Sequence, residues 1–169
     1  ALGASAQTTW NFSNWTAGTY TADFSKDGLS VYAGDAKNAE GTKNTEDIVI
    51  DGNSKTVDGV KYTQRLKTGG AATATGKRAL SFDVTGPSTI TVIATSSNST
   101  DTRTLIFGEN AIGTVGEEGV NIGTLSIGTG NPVAYTFNYT GTGGTIHMCS
   151  ASGGINFYAI SVAPSEGGG

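Results

Sequence analysis

The chain has 169 residues, 26 of them Gly, 26 Thr and 15 Ser, and its ten Lys and Arg against fourteen Asp and Glu leave a formal charge of -4. That length predicts one domain with a sizeable core. No apolar run approaches the roughly 20 residues of a membrane span, and the single Cys149 excludes a disulfide framework or a Cys-rich zinc site.

Thr favours strands, Gly and Ser favour turns, and the three together disfavour long helices, so the composition is that of an all-β protein. Residues 1–9 read as a linker or tag remnant and residues 164–169 as linker, framing a single module over 10–163. From Trp10 to Gly59 the chain is polar, with an acidic, Asn-rich stretch from Asp35 to Asp47. Its apolar residues are too few for a separate core, so it is predicted to supply outer strands and a long loop. Turn signals stand at Asp51-Gly52-Asn53 and at Asp58-Gly59.

Val60 to Thr68 alternates, which predicts a strand with Tyr62 and Leu66 on one face and Lys61, Thr63, Arg65 and Lys67 on the other. Gly69-Gly70 and the small residues up to Gly76 predict a reversal that brings Lys77 and Arg78 back toward the same end. Further strands are predicted around Leu80, Phe82 and Val84, around Tyr135, Phe137 and Tyr139, and over Ile146 to Ser150. They are punctuated at Gly86-Pro87, Gly116 to Gly119, Gly128 to Pro132, Gly141 to Gly144 and Gly153-Gly154. About ten to thirteen strands fit this spacing. The predicted fold is all-β, an antiparallel two-sheet β-sandwich of jelly-roll type, because two sheets then cover one core.

Charge is segregated. Residues 1–54 carry -4 and residues 79–169 carry -5, while residues 55–78 carry +5 from Lys55, Lys61, Arg65, Lys67, Lys77 and Arg78 against Asp58. Partners respond to the local field, so this island predicts a surface for a polyanion with regularly spaced charges; the plain alternative is a solvated strand face. A binder of phosphate chains is expected to be basic overall and to interleave aromatic platforms with its bases, which this chain does not do. An acidic polysaccharide fits better, with neither nucleic acid nor membrane as partner.

The phrases YTQRLKTGG (Tyr62 to Gly70), KRALSFDVTGPSTITVIATSSNST (Lys77 to Thr100), TRTLIF (Thr102 to Phe107) and GGINFYAISV (Gly153 to Val162) carry a resemblance. Over roughly residues 60–163 the chain resembles modules attached to bacterial pectinases, in particular carbohydrate-binding module family 77, which binds homogalacturonan. The resemblance implies a β-sandwich with no catalytic residues and no required metal or cofactor. It also implies recognition of galacturonate carboxylates by basic side chains on a flat face. Arg65, Lys67 and Lys77 or Arg78 match the motif positions, and Lys61 and Arg103 complete the basic set proposed to meet polygalacturonate. A monomeric, secreted or cell-surface module joined to a catalytic module follows as the expectation. The chain departs from the family in having no Lys or Arg after Arg103 and in its additional N-terminal fifty-odd residues.

Other constellations point elsewhere. His147 and Cys149, two apart, would share a strand face, but two ligands make no metal site. Glu117 and Glu118 suggest paired glycosidase carboxylates, yet neighbours in a Gly-rich turn diverge. A Ser-His-Asp triad would need His147 as base, without a G-x-S-x-G elbow to support it. A small lyase with Arg or Lys as base, an esterase, and an adhesion module are the remaining alternatives. Asp51, Asn53 and Asp58 offer hard oxygens for a structural calcium but lack the EF-hand spacing. Among Trp10, Trp15, Tyr20, Tyr32, Tyr62 and Tyr158 are candidates for stacking on a sugar face, Trp10 and Trp15 foremost because their surroundings are polar, although most aromatics in strands are core.

Overall fold

Apolar residues at every second position, separated by Thr and Ser, create strands with one oily face, and two such sheets bury those faces against each other. The computed structural model describes residues 7–33, 48–70, 78–111 and 120–165. Among them are thirteen strands and one 3₁₀ turn, Phe12–Asn14. In chain order the strands are β1 (Thr8–Asn11), β2 (Gly18–Tyr20), β3 (Phe24–Lys26), β4 (Leu29–Tyr32), β5 (Ile48–Val57), β6 (Val60–Lys67) and β7 (Ala79–Val84). They continue as β8 (Ser88–Ser96), β9 (Arg103–Glu109), β10 (Asn121–Ile127), β11 (Val133–Tyr139), β12 (Gly144–Ser150) and β13 (Ile155–Pro164). No helix of the described residues is long and apolar enough to cross a membrane.

The strands form an antiparallel two-sheet sandwich of jelly-roll type. One sheet runs β11-β8-β13-β6-β5-β2, with β1 also on β13; the other runs β10-β9-β12-β7-β4-β3. Ile90, Val92, Ile155, Phe157 and Ile160 of the first sheet meet Leu80, Phe82, Leu105, Phe107, Ile146 and Met148 of the second in one core. Each such side chain contributes about 1.5–3 kcal/mol on burial. The N-terminal strands are integrated into this sandwich: Trp10 packs on Phe82 at 5.3 Å between ring centroids and Trp15 on Phe12 at 4.9 Å. The first strand pairing begins at Thr8, opposite Val162, inside the stretch read from the sequence as linker.

Strand β13 organises the first sheet. It pairs with β8 along its length, while its other flank is shared between β6, at Asn156 and Phe157, and β1, from Ala159 to Val162. Between these two partners sits the 3₁₀ turn. Ser13 Oγ accepts from Thr63 N at 2.9 Å, and Gln64 Nε2 donates to the carbonyls of Phe12 and Trp15 at 2.8 and 2.7 Å. A bulge between Phe157 and Ala159 keeps Phe157 and Ile160 inward while Tyr158 joins Val57, Tyr62 and Ala159 in a small cluster outside the main core.

Two turn predictions resolve differently. Asp58 and Gly59, at φ 50° and 80°, form a two-residue hairpin turn closed by Val57 and Val60, the positive-φ pair that such turns require. Asp51-Gly52-Asn53 is no turn; it lies within β5. The reversal predicted after Gly69 places β7 in the opposite sheet, not beside β6, so the chain crosses the sandwich there.

Candidate functional site

The hairpin β5–β6 carries most of the basic island, and its register decides where each charge points. Asp51 faces Arg65, but four positions on along β5 and only three back along β6, across an irregularity between Gly52 and Lys55, Lys55 faces Tyr62. Opposed residues share a face, and a one-residue slip exchanges the faces. Asp51, Asn53 and Lys55 therefore keep to the outer face, and on β6 that face changes from the Arg65 parity to the Tyr62 parity. The sequence-based strip placed Tyr62 with Leu66; the bulge separates them, Leu66 into the main core and Tyr62 into the outer cluster. Lys61, opposite Thr56, falls on the reverse side of the hairpin.

On the outer face Asp51 holds two cations. Arg65 Nε donates to Asp51 Oδ1 at 2.9 Å and Lys67 Nζ to Oδ2 at 3.3 Å. Partial burial works to raise the Asp51 carboxyl, but the hydrogen bond and charge of Arg65, with Lys67, override it and hold the carboxyl below its ordinary value. Burial likewise opposes the Arg65 charge, and Asp51 again prevails, holding the guanidinium above its ordinary value. The Tyr158 hydroxyl stands beside this network and donates to Asn53 Oδ1 at 2.5 Å.

Beside this network runs an open groove of about 340 Å³. Asn156 and Tyr158 of β13 lie at its floor, Lys55 and Arg65 form one wall, and residues 95–99 with Thr129 and Gly130 form the other. The second wall is braced. Thr95 Oγ1 donates to the Gly130 carbonyl at 2.8 Å, and Asn98 Oδ1 accepts from the backbone N–H groups of Thr100 and Asp101 at 2.7 and 3.0 Å. Arg103 Nη1 donates to Ser97 Oγ at 2.5 Å and to the Gly154 carbonyl at 2.6 Å, which ties the loop after β8 to the loop before β13. At the mouth Lys55 Nζ approaches Asn131 Oδ1 at 3.5 Å. An open, polar, basic-rimmed trough with braced walls suits an extended hydroxylated chain better than a compact apolar ligand.

No protein-family profile matches the chain, and no curated protein sequence does. Among solved structures it is similar to the CBM22-1 xylan-binding domain of Paenibacillus barcinonensis Xyn10C, with TM-score 0.53 and 11% identity over 96% of this chain and 97% of that one. The two share a fold. A CBM35 of Cellvibrio japonicus Abf62 is also similar, with TM-score 0.45 and 14% identity over 95% of this chain and 99% of that one.

Of the six basic residues proposed from sequence, the structure brings Arg65 and Lys67 together on Asp51, and Arg65 lines the groove. Lys61 turns away, and Lys77 lies outside the described residues. Arg78 precedes β7 in the other sheet, at φ 59°, apart from the Arg65–Lys67 pair, and is only 7% exposed, with burial pushing its pKa down. Arg103 is a brace with its Nη1 engaged by protein atoms. Trp10 and Trp15, offered as sugar platforms, are buried at 5% and 7%: Trp10 through the pairing of β1 with β13, and Trp15 at the end of the 3₁₀ turn, where it packs on Phe12 and its carbonyl accepts from Gln64.

Cys149 is buried against Ala79 and Ile106, which pushes its thiol to about 11, and His147 stacks on Tyr32 at 5.9 Å with burial lowering its pKa against the opposing charge of Asp83. Among the described residues no group of three or more His, Cys, Asp or Glu is placed to hold a metal. Of the proposed calcium oxygens, Asp51 is taken by Arg65 and Lys67 and Asn53 Oδ1 by Tyr158. Glu117 and Glu118 lie outside the described residues. Of the groove residues, Tyr158 was weighed from the sequence as one of several aromatics that could stack on a sugar, whereas Lys55 and Asn156 were not proposed as contacts. Lys55 was legible as a member of the basic island, whereas Asn156 sits in an apolar run, GGINFYAISV, that reads as core.

Proposed function

We propose that this chain is a noncatalytic polysaccharide-binding module whose groove and basic rim receive an acidic plant cell-wall polymer, polygalacturonate. In the full-length protein it would direct a linked catalytic module to that substrate. The observation that carries this reading is the convergence of Lys55, Arg65 and Lys67 on one face, beside an open polar groove. The fold shared with a xylan-binding domain and the resemblance to pectinase modules support it. A lyase reading is disfavoured by the network itself, since a base that abstracts a proton needs a lowered pKa and Asp51 holds that of Arg65 up.

Partly exposed ion pairs contribute about 0.2–1 kcal/mol each, so three of them give about 0.6–3 kcal/mol. A millimolar complex needs about 4 kcal/mol. Hydrogen bonds from the groove supply the remainder, binding is weak and salt-sensitive, and attachment to further modules raises the effective affinity.

Affinity electrophoresis through gels containing polygalacturonate, fully methyl-esterified pectin or a neutral glucan tests the reading. Retardation by polygalacturonate, lost in the Arg65→Ala/Lys67→Ala double variant at unchanged circular dichroism, is the expected result. Free migration in the polygalacturonate gel refutes it.

A further inference from the structure

Two open sheets leave unpaired strand edges, and such an edge is a template for another strand unless its length, charge or bulges blunt it. Among the described residues most edges are blunted. Strands β1, β2 and β3 are three or four residues long, and β3 carries Lys26. Strand β10 runs for seven residues, but its ladder with β9 is irregular between Asn121 and Gly123. Strand β11 has no such device. It holds seven residues, Val133 to Tyr139, in unbroken register on β8 with no charged side chain, and among the described residues no strand lies on its other flank.

The surroundings of this edge are apolar for a surface. Of the three large apolar side chains exposed among the described residues, Val133 at 47% stands on β11 and Ile122 at 38% on β10, which lies against it. The inward rings Tyr135 and Phe137 are only half-buried, although Phe137 stacks on Phe107. The outward positions Ala134, Thr136 and Asn138 are exposed and uncharged. The sequence VAYTFNY then selects the occupant. Laid antiparallel on itself about Thr136, it sets Tyr135 opposite Phe137, Ala134 opposite Asn138 and Val133 opposite Tyr139. Each half-buried ring meets an aromatic across the ladder, no charges are opposed, and the contact closes on itself as a symmetric dimer does.

We infer that two copies of this chain pair antiparallel through β11, about a two-fold axis at Thr136, rather than remaining the expected monomer. Their first sheets become one continuous sheet. Thr136 faces Thr91, which shares its face of β8 with Thr95 in the groove wall. Opposed residues in a ladder share a face, so the outer faces of both copies, and both basic grooves, look to the same side. From β13 through β8 and β11 to their equivalents is five strand spacings, which sets the groove floors about 24 Å apart. Two grooves presented to one polymer surface raise the effective affinity of a weak site without new contacts to the sugar. That consequence rests on the polysaccharide-binding reading above; the dimer itself does not.

Sedimentation equilibrium from about 10 μM to about 1 mM on wild type, Thr136→Lys and Thr136→Glu tests the pairing. The wild-type mass is expected to rise from 17.1 kDa and level at twice that value. Each variant opposes two like charges at the axis and should stay at the monomer mass with an unchanged thermal melt. An equimolar mixture of the two variants should recover the dimer, because a lysine then faces a glutamate. Wild type that stays monomeric at the highest concentration overturns the inference, whatever other strand this edge accepts. A mass that grows past two copies without levelling, as in unspecific edge aggregation, overturns it too. Folded variants that dimerise like wild type, or a mixture that stays monomeric, overturn pairing about Thr136. Should the variants fail to fold, amide hydrogen exchange of wild type decides: exchange along β11 that slows as concentration rises supports the pairing, and unchanged exchange there overturns it.

In the polygalacturonate gel, dimeric wild type should bind about tenfold more tightly than either variant, although the two substitutions change the charge in opposite directions. Equal binding overturns the placement of both grooves on one side. Free migration of all three proteins refutes the binding reading and leaves the dimer standing.

Discussion

The Asp51 carboxylate competes with any uronate for the same two cations, and removing its charge is the most informative single perturbation. Arg65, Lys67 and Asp51 together carry a net charge of +1, and Asp51→Asn leaves +2 with nearly the same volume. A ligand carboxylate reaching both cations comes to within about 6 Å of Asp51, where two like charges repel by about 0.7 kcal/mol in bulk water and about 3 kcal/mol at an effective dielectric constant of about 20. The Asp51 side chain is 36% exposed, so solvent screening favours the lower part of that range. About 1 kcal/mol, or roughly fivefold tighter binding of polygalacturonate, is expected. Isothermal titration at low salt measures it, and the gain should shrink at about 0.1 M salt, where the screening length is about 10 Å. A folded Asp51→Asn protein that binds polygalacturonate no more tightly than wild type would show that Arg65 and Lys67 do not meet ligand carboxylates, and the charge argument would fail.

Stability should respond to the same carboxylate. Its folded-state pKa lies below the ordinary 3.8, so its contribution is present above that value and disappears as pH falls through the depressed folded value. Thermal melts from about pH 5 to about pH 2 are expected to show a steeper loss for wild type than for Asp51→Asn, whereas parallel curves would place the acid-labile group elsewhere. In the core, a Cβ at Gly123 would lie 2.4 Å from Phe137 Cε1, on a ring stacked over Phe107 at 4.1 Å and 6°. Gly123→Ala should therefore destabilise by about 1–3 kcal/mol in urea unfolding, and an unchanged midpoint would mean that the ring relaxes without cost.

What the sequence disclosed and what it concealed divide along physical lines. Period-two patterns such as Leu80, Phe82 and Val84 report burial directly, and all three are core residues. The Asp58-Gly59 turn is legible because its backbone needs positive φ at both positions. The bulge in the β5–β6 ladder is different: it lies opposite a stretch of β6 whose Thr63 and Gln64 hydrogen-bond to the 3₁₀ turn, a contact between residues about fifty positions apart. Local alternation cannot register such a slip, and so Lys61 and Tyr62 were assigned to the wrong faces. Trp10 and Trp15 illustrate the same blindness, since Trp10 is buried by pairing with a strand at the far end of the chain and Trp15 ends a turn held by Gln64, forty-nine positions away. The small residues after Gly69 suggest a hairpin, yet they precede a crossover between sheets. Asn156 was hidden by its neighbours, because an Asn among Ile, Phe and Tyr looks like an ordinary core strand.

The Arg103 brace constrains how this surface can be varied. A Cβ at Gly153 would stand 2.2 Å from the guanidinium carbon of Arg103, so the guanidinium reaches Gly154 and Ser97 only because residue 153 has no side chain. Positions 97, 103, 153 and 154 consequently behave as one unit, although 57 residues separate the first from the last. A loop library aimed at new ligand preferences has to hold this unit fixed and draw its diversity from Ser99 and Thr129, which line the groove and sit outside the brace. Transplanting the 97–99 loop alone into a related sandwich would carry across half of a mechanism, because its shape is maintained from the other side of the groove.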